Sequence, residues 1–252
     1  MTGASVQELQ SSHTGHIFLT AEWRNLLMLN YSVSRELLER YVPKGTELDS
    51  FDGRFFVSLV GFQFLSTRLA GRFSIPFHTT FDEVNLRFYV RRRDSGEDRR
   101  GVVFIKEIVP RFAIARIARY LYGEKYSALP MRREIRLTDS GARVSYGWKL
   151  RGAWCAISAE SSGAWKLPAE GSFEQFITEH YWGYAAQESA ECVEYRVAHP
   201  SWRVRRAKVG RLEGNVPELY GDDFARLLAH PPKSAFIAEG SPVTVFSGRR
   251  IL

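Results

Sequence analysis

Alternation of apolar and polar residues is the main pattern along the chain, and it predicts β-structure. The clearest case is residues 79–90, whose even-numbered positions from 84 to 90 are apolar. The odd-numbered positions of the same segment carry Glu83, Asn85, Arg87 and Tyr89. Because side chains alternate across a strand, these four residues should share one face.

Other short runs, rich in β-branched and aromatic residues and bounded by Gly, Pro or Asp-Ser-Gly, predict further strands. The charged segment 91–100 has the turn sequence Asp-Ser-Gly-Glu-Asp at its centre and predicts a hairpin loop between two of them. The predicted strands cover residues 54–64, 79–90, 102–109, 131–137, 142–150, 154–158, 193–197, 204–212, 234–238 and 243–246.

Helical spacing is confined to four short segments. Ser34 can cap a helix over residues 35–41, and residues 111–121 carry an apolar stripe that stops before Gly123. Capping residues also begin segments 172–180 and 222–229.

Many strands in tandem with few helices indicate a mainly β (α+β) protein built on an antiparallel β-barrel or curled sheet. The alternating strand–helix order of a Rossmann fold is absent.

Length and polarity set the expected organisation of the chain. Residues 1–16 are polar and lack a secretion signal, so we expect a flexible tail followed by a single domain over residues 17–252. No run of eighteen apolar residues is present, which argues against a membrane span. The two cysteines, Cys155 and Cys192, form neither a disulfide framework nor a zinc motif, which favours a cytoplasmic protein.

Nucleotide-binding, hydrolase and zinc-protease motifs are missing, and the six histidines show no metal-ligand spacing. We therefore expect neither a cofactor nor a metal. The net charge of +7 leaves binding to nucleic acid or another acidic polymer open. The sequence Trp202-Arg203-Val204-Arg205-Arg206 could stack on bases and contact phosphates, but its alternation is equally that of a strand with one exposed face.

Three positions are candidates for chemistry. Glu83, sharing its face with Arg87, is a pocket carboxylate if that face points inward and an ordinary surface residue if it does not. Lys125, which follows Tyr122 after the predicted helix, could form a Schiff base among aromatic residues or lie at the surface. His199, between Ala198 and Pro200, is either a general base or a structural histidine.

Several segments, in order, resemble the YqjF-like family of uncharacterised bacterial proteins. They are Glu22-Trp23-Arg24-Asn25-Leu26 with the residues up to Tyr31, Phe81-Asp82-Glu83-Val84-Asn85-Leu86-Arg87 with the residues up to Val90, the stretch from Phe176 to Tyr184, and His199-Pro200-Ser201-Trp202. That family is grouped by fold with acetoacetate decarboxylase, a cone-shaped antiparallel β-barrel with a central pocket. The resemblance implies the same fold here, with Glu83, Asn85 and Arg87 lining the cavity.

The resemblance also implies roles for particular residues. Glu83 matches the superfamily's pocket glutamate, and residues 119–123 match the stretch before its catalytic lysine pair. Here the chain departs from the pattern, because Lys125 is followed by Tyr126 and not by a second lysine. Activation of Lys125 by a neighbouring cation, for which this decarboxylase is the standard example, is therefore not carried over.

Three functional hypotheses follow. The first is a pocket that binds a small carboxylate- or carbonyl-bearing metabolite, with Arg24 or Arg87 clamping the anion and Glu83 orienting the ligand or moving a proton. Asn85, Tyr122 and His199 are the further ligand contacts. The alternatives are a Schiff-base lyase of the decarboxylase or aldol type, acting through Lys125 on a keto acid, and a nucleic-acid-binding module, which the scattered charge does not favour. Homo-oligomerisation is left open.

Overall fold

The computed structural model describes residues 15–74, 79–110, 126–187 and 191–251, and strands make up most of them. The first seven strands are β1 (Ile17–Val33), β2 (Glu47–Leu48), β3 (Phe55–Leu69), β4 (Phe73–Ser74), β5 (Phe81–Asp94), β6 (Glu97–Val109) and β7 (Tyr126–Ala128). The others are β8 (Met131–Leu137), β9 (Gly141–Leu150), β10 (Ala153–Ser162), β11 (Trp182–Ala186), β12 (Cys192–Ala198), β13 (Val204–Glu213), β14 (Ser234–Phe246) and β15 (Arg249–Ile251). The predicted mainly β fold is confirmed.

Three short helices interrupt the strands within the described ranges: α1 (Arg35–Glu39), α2 (Phe173–Thr178) and α3 (Pro217–Leu228). The Oγ atoms of Ser34 and Ser172 accept hydrogen bonds from the backbone N–H groups of Leu37 and Gln175, as expected for capping residues. Helix α3 begins at Pro217, before the predicted start, and bends at Gly221. None of the helices in the described part of the chain has the length and apolar character needed to cross a bilayer.

Seven strands form a ring, because β12 pairs with β14 as well as with β11. The order around the ring is β12-β11-β6-β5-β3-β1-β14. Neighbours are antiparallel except at β6–β11, where Trp182 and Gly183 run parallel to Gly101 and Val102. The result is a cone-like or barrel-like sheet, which removes most free edges.

A second layer covers the outside of the ring. Strands β8, β9, β10 and β13 form an antiparallel meander, and β13 joins the ring by pairing with β14. Residues such as Tyr146, Trp148 and Ile157 of this meander pack against the outward side chains of β1, β3 and β5, with Phe224 of α3 in the same cluster. Burial of these large side chains is the main stabilising contribution to this part of the fold.

Strand β5 is therefore buried on both faces. Its even-numbered positions, including Leu86 and Phe88, lie in the core under the meander. Its odd-numbered positions face the interior of the ring, where Glu83 and Arg87 are 3% and 9% exposed. In sequence, the alternation along β5 is typical of a strand with one solvent-exposed face. In the structure, it separates a packed apolar face from a polar face inside the ring.

Most predicted strands are present, with longer bounds. The hairpin at 91–100 is confirmed, with Ser95 and Gly96 at φ values of 52° and 85° in its turn. Sequence analysis did not predict β1 or β11, and its two strands at 234–238 and 243–246 are one continuous strand, β14. The predicted helix at 111–121, Tyr122, Lys125 and residues 1–14 of the predicted tail lie outside the described residues.

Candidate functional site

A cavity of about 150 Å³ lies inside the ring. Most of its wall is apolar and aromatic, with Trp23, Phe62, Phe64 and Phe81 from three adjacent strands among the lining side chains. The ring planes of Phe64 and Phe81 are stacked, with centroids 4.5 Å apart. Engineered cavities of similar volume hold a benzene-sized molecule, so the space suits a ligand of about six non-hydrogen atoms.

Polar and charged residues are concentrated on β5, β6 and the segments around β11 and β12. The titratable residues on the described wall are Glu83, Arg87, Glu107, Tyr126, His180, Tyr195 and His199, and the uncharged polar ones are Thr67, Asn85 and Thr178. Buried polar groups within an otherwise apolar cavity are the usual composition of a small-molecule site.

Glu83, Asn85 and Arg87 follow one another along the inner face of β5. The amide Nδ2 of Asn85 donates to Glu83 Oε1 at 3.0 Å. Glu107 is the register partner of Asn85 on β6, which brings a second buried carboxylate to the same wall. Four residues of strand separate the Cα atoms of Glu83 and Arg87 by roughly 13 Å. The carboxylate and the guanidinium therefore serve different parts of the cavity.

Arg87 has a guanidinium with few protein partners. Its Nη2 donates to the carbonyl oxygen of Ile177 at 3.3 Å, near the end of α2, where helix carbonyls lack intrahelical partners. Its Nε is buried and has no hydrogen-bond partner. Among the described residues, no carboxylate lies within 4.0 Å of this side chain. A buried cation in this state is suited to an anionic group supplied by a ligand.

His180 follows α2 and is almost fully buried, with a side chain only 2% exposed. Its Nε2 lies 3.6 Å from Oδ2 of Asp49, and that carboxylate accepts a hydrogen bond from Arg100 Nε at 2.7 Å. Its ring packs against Tyr89 and Phe176 at centroid distances of 4.6 and 5.4 Å. Burial lowers the pKa of His180 to about 4, so its imidazole is neutral at pH 7.

His199 is the second histidine of the wall. Its ring stacks on Trp202 at 4.1 Å, and its Nδ1 lies 2.9 Å from the carbonyl oxygen of Pro200. Burial lowers its pKa to about 4 as well, with Arg87 and His180 acting in the same direction. His199 thus has a defined structural contact and also lines the cavity.

Several lining residues carry buried polar atoms without a hydrogen-bond partner in the described protein. These atoms are Trp23 Nε1, Thr67 Oγ1, Asn85 Oδ1, Arg87 Nε, and both ring nitrogens of His180. Buried polar groups in folded proteins are nearly always hydrogen-bonded to protein, water or ligand. Their grouping around one cavity supports a role in holding a polar molecule.

Bulges determine which residues reach the cavity. Asn25 in β1 and Ser66 in β3 adopt φ values of 56° and 52°, and β6 has one extra residue opposite the Leu86–Arg87 step. Each irregularity places two residues three positions apart on the same wall, as bulges beside functional sites often do. The pairs are Trp23 and Leu26, Phe64 and Thr67, and Phe104 and Glu107.

The other predicted site residues have different positions. Arg24 is paired with Glu22 at 2.7 Å, its side chain is 37% exposed, and it is not among the described residues of the cavity wall. Arg24 therefore has no place in the site proposed below. Lys125 and Tyr122 lie outside the described residues. The described residues contain no cluster of three or more side chains suited to hold a metal ion.

The basic segment 202–206 is largely engaged within the protein. Trp202 is 3% exposed, Arg203 pairs with Glu239 at 2.6 Å, and Arg206 pairs with Glu174. Arg205 is buried and donates to the carbonyl oxygen of Asp139 at 2.9 Å. This arrangement matches the interpretation of the segment as a strand, not as a nucleic-acid-binding stripe.

Comparison with known proteins gives a family and a fold. A model of the family DUF2071, described as an uncharacterized conserved protein, matches residues 20–242. The uncharacterized protein YqjF of Bacillus subtilis (strain 168) is 30% identical over 90 residues, which are 36% of this chain and 37% of that protein. The matched segment therefore spans little more than a third of this relative.

Solved structures extend the comparison to nearly the whole chain. The enduracididine biosynthesis enzyme MppR, in complex with the condensation product of pyruvate and imidazole 4-carboxaldehyde, is 13% identical, with a TM-score of 0.63 and coverage of 94% of this chain and 90% of that one. Acetoacetate decarboxylase from Legionella pneumophila is 11% identical, with a TM-score of 0.61 and coverage of 93% and 87%. At these identities the similarity establishes the fold alone.

Proposed function

Because the chain belongs to the DUF2071 family of uncharacterized conserved proteins and has the acetoacetate decarboxylase-like fold, we propose that its cavity binds a small carboxylate-bearing metabolite. The observation that carries this proposal is Arg87, a buried guanidinium on the wall of an aromatic cavity with no carboxylate partner among the described residues. A bound carboxylate would supply the missing negative charge and could accept two parallel hydrogen bonds.

The remaining wall supports the same ligand class. Asn85 and Glu83 lie further along β5 and can contact a second polar group, such as a carbonyl or hydroxyl. The apolar side chains around them exclude water, which strengthens interactions between the guanidinium and a carboxylate. MppR, which has a related fold, was solved in complex with a condensation product of pyruvate. That complex is consistent with binding of a short organic acid by this fold.

Replacing Arg87 with glutamine should weaken binding of short carboxylates by about 10- to 100-fold, since hydrogen bonds to charged groups contribute about 1.5–3 kcal/mol. Binding of pyruvate and lactate can be measured by ligand-observed NMR or calorimetry. Arg24→Gln is the matched control, because Arg24 lies on β1 of the same ring but outside the described cavity wall. Methyl pyruvate, which has no carboxylate, should bind the wild type poorly.

Two outcomes would contradict the proposal. One is binding of neither acid to the wild-type protein at millimolar concentration. The other is an equal effect of Arg87→Gln and Arg24→Gln on affinity. Circular dichroism and the urea unfolding midpoint of each variant show whether a loss of binding reflects a loss of folding.

The Schiff-base hypothesis depends on Lys125, since none of the lysines among the described residues lines the cavity. It predicts that sodium borohydride and pyruvate together leave a covalent adduct on Lys125, detectable by peptide mass spectrometry. Lys106→Arg is a suitable control, because Lys106 neighbours the cavity residue Glu107 without lining the cavity itself. If Lys125 is unmodified after treatment with borohydride and pyruvate, the Schiff-base hypothesis is wrong.

A further inference from the structure

Each cavity histidine has one ring nitrogen near a protein oxygen that can accept but not donate a hydrogen bond. For His180 that oxygen is Oδ2 of Asp49, which lies 3.6 Å from Nε2, in electrostatic contact but beyond hydrogen-bond distance. For His199 it is the carbonyl oxygen of Pro200, 2.9 Å from Nδ1. Neither group can donate a hydrogen, so each one favours the neutral tautomer whose ring proton lies on the nitrogen nearest to it.

The opposite nitrogen of each ring is consequently a lone-pair acceptor. Both ring nitrogens of His180 are buried without a hydrogen-bond partner in the described protein, and Nε2 is the one that lies beside the Asp49 carboxylate. Nε2 of His199 likewise has no hydrogen bond to the described residues. The cavity wall therefore offers acceptor nitrogens whose tautomers are favoured by groups outside the cavity, as in sites where a second residue orients a histidine.

The surroundings of His180 keep this arrangement in place near neutral pH. The groups that face it are Asp49, Arg100, Arg87 and the rings of Tyr89 and Phe176. Burial disfavours the charge on Asp49, but its interactions with His180 and Arg100 outweigh burial and lower the pKa of that carboxyl. Burial and the two arginines oppose a positive charge on the imidazole, whose pKa is about 4.

Donor and acceptor functions lie on the same wall. The guanidinium of Arg87 is tied to the carbonyl oxygen of Ile177, and His180 follows three positions later in the chain. We propose that the ligand is a hydroxy acid, whose carboxylate binds Arg87 and whose hydroxyl group donates a hydrogen bond to Nδ1 of His180. This inference rests on the proposed function, which identifies only the carboxylate of the ligand, and it identifies the second polar group as a hydroxyl.

A keto acid is the natural competitor, and the same geometry disfavours it. The oxygen of a ketone has only lone pairs, so it would meet the lone pair of Nδ1 and leave both acceptors without a hydrogen. A site that accepts a hydrogen bond from a substrate hydroxyl discriminates strongly against an analogue that cannot donate it. A preference of about tenfold or more is expected, because the keto acid would leave two buried acceptors without a hydrogen.

The test compares lactate with pyruvate, which have the same carbon skeleton and differ at one oxygen. At pH 7.5 we expect wild-type protein to bind one enantiomer of lactate at least about tenfold more tightly than pyruvate. In His180→Leu this ratio should fall towards one. His230→Leu, which changes an exposed histidine of the described chain, should keep the wild-type ratio.

A measurement on the unmutated protein avoids dependence on the folding of a variant. Long-range ¹H–¹⁵N spectra of labelled wild-type protein distinguish the two neutral imidazole tautomers. The Nε2–H form is expected for His180 and the Nδ1–H form for His199. The Nδ1–H form at His180 would overturn the inference.

The possible results separate this inference from the proposed function. If neither acid binds, the proposed function fails, and the hydroxy-acid inference fails with it. If both acids bind equally and Arg87→Gln weakens both, the proposed function stands and the inference is wrong. A lactate preference that persists in His180→Leu would also overturn the assignment to His180.

Discussion

Gly240→Ala is expected to destabilise the protein by about 3–4 kcal/mol, combining an unfavourable backbone conformation with overpacking. Gly240 has a φ of +79°, and an ideal Cβ there would clash with the carbonyl oxygen of Trp23. That oxygen is backbone, so a side-chain rotation cannot relieve the contact. The neighbouring bulge is also fixed, because Tyr146 donates to the Asn25 carbonyl oxygen at 2.9 Å and Asn25 to Gln63 at 2.8 Å.

Gly53→Ala is the matched control for this prediction. Gly53 has a similar φ of +71°, but an added Cβ would meet nothing within 4 Å. Its substitution should therefore show the backbone cost alone, about 1 kcal/mol. Urea unfolding monitored by tryptophan fluorescence measures both variants. Equal losses would show that β1 moves away from β14 without cost, contrary to the expectation.

Acid is expected to reduce stability by about 3–4 kcal/mol between pH 7 and pH 5, because both cavity histidines are buried in the neutral form. The pKa of His180 and of His199 is lowered to about 4 from an ordinary value of 6.5. As the pH falls through 6.5 the unfolded chain takes up both protons, whereas the folded protein takes them up only near pH 4. The stability is therefore complete above pH 6.5 and is lost between about pH 6.5 and 4.

Unfolding midpoints of wild type, His180→Leu and His230→Leu at the two pH values isolate this effect. The loss between pH 7 and 5 should be about half as large in His180→Leu as in wild type, since one of the two groups is gone. His230→Leu should retain the full loss. Asp82, whose pKa is raised by burial, contributes with the opposite sign, but equally in all three proteins. An undiminished loss in His180→Leu would contradict the assignment.

Sequence alternation predicts which residues face the cavity only where a strand is regular. On β5 no bulge falls between Glu83 and Arg87, so simple alternation places Glu83, Asn85 and Arg87 on one face. On β6 the same rule fails. Alternation from Val102 places Glu107 on the opposite face, and the extra residue in this strand returns it to the cavity wall.

Strand β1 and His180 escaped prediction for other physical reasons. The run Leu26-Leu27-Met28-Leu29 is buried on both faces, between the cavity side and the outer meander, so its hydrophobicity does not alternate. His180 lies at the end of a predicted helix, where local spacing is uninformative. Its importance comes from Asp49, which only the folded ring brings to its side.

Alternate residues of β5 have different roles: the odd-numbered ones line the cavity, and the even-numbered ones pack in the core. Substitutions at positions 83, 85 and 87 alter what the ring interior presents, whereas Leu86 and Phe88 beneath them stay packed under the outer meander. A descendant of this chain could thus acquire a new ligand preference without rebuilding its hydrophobic support. For protein engineers, that makes the odd-numbered positions of β5 the place to begin a combinatorial library.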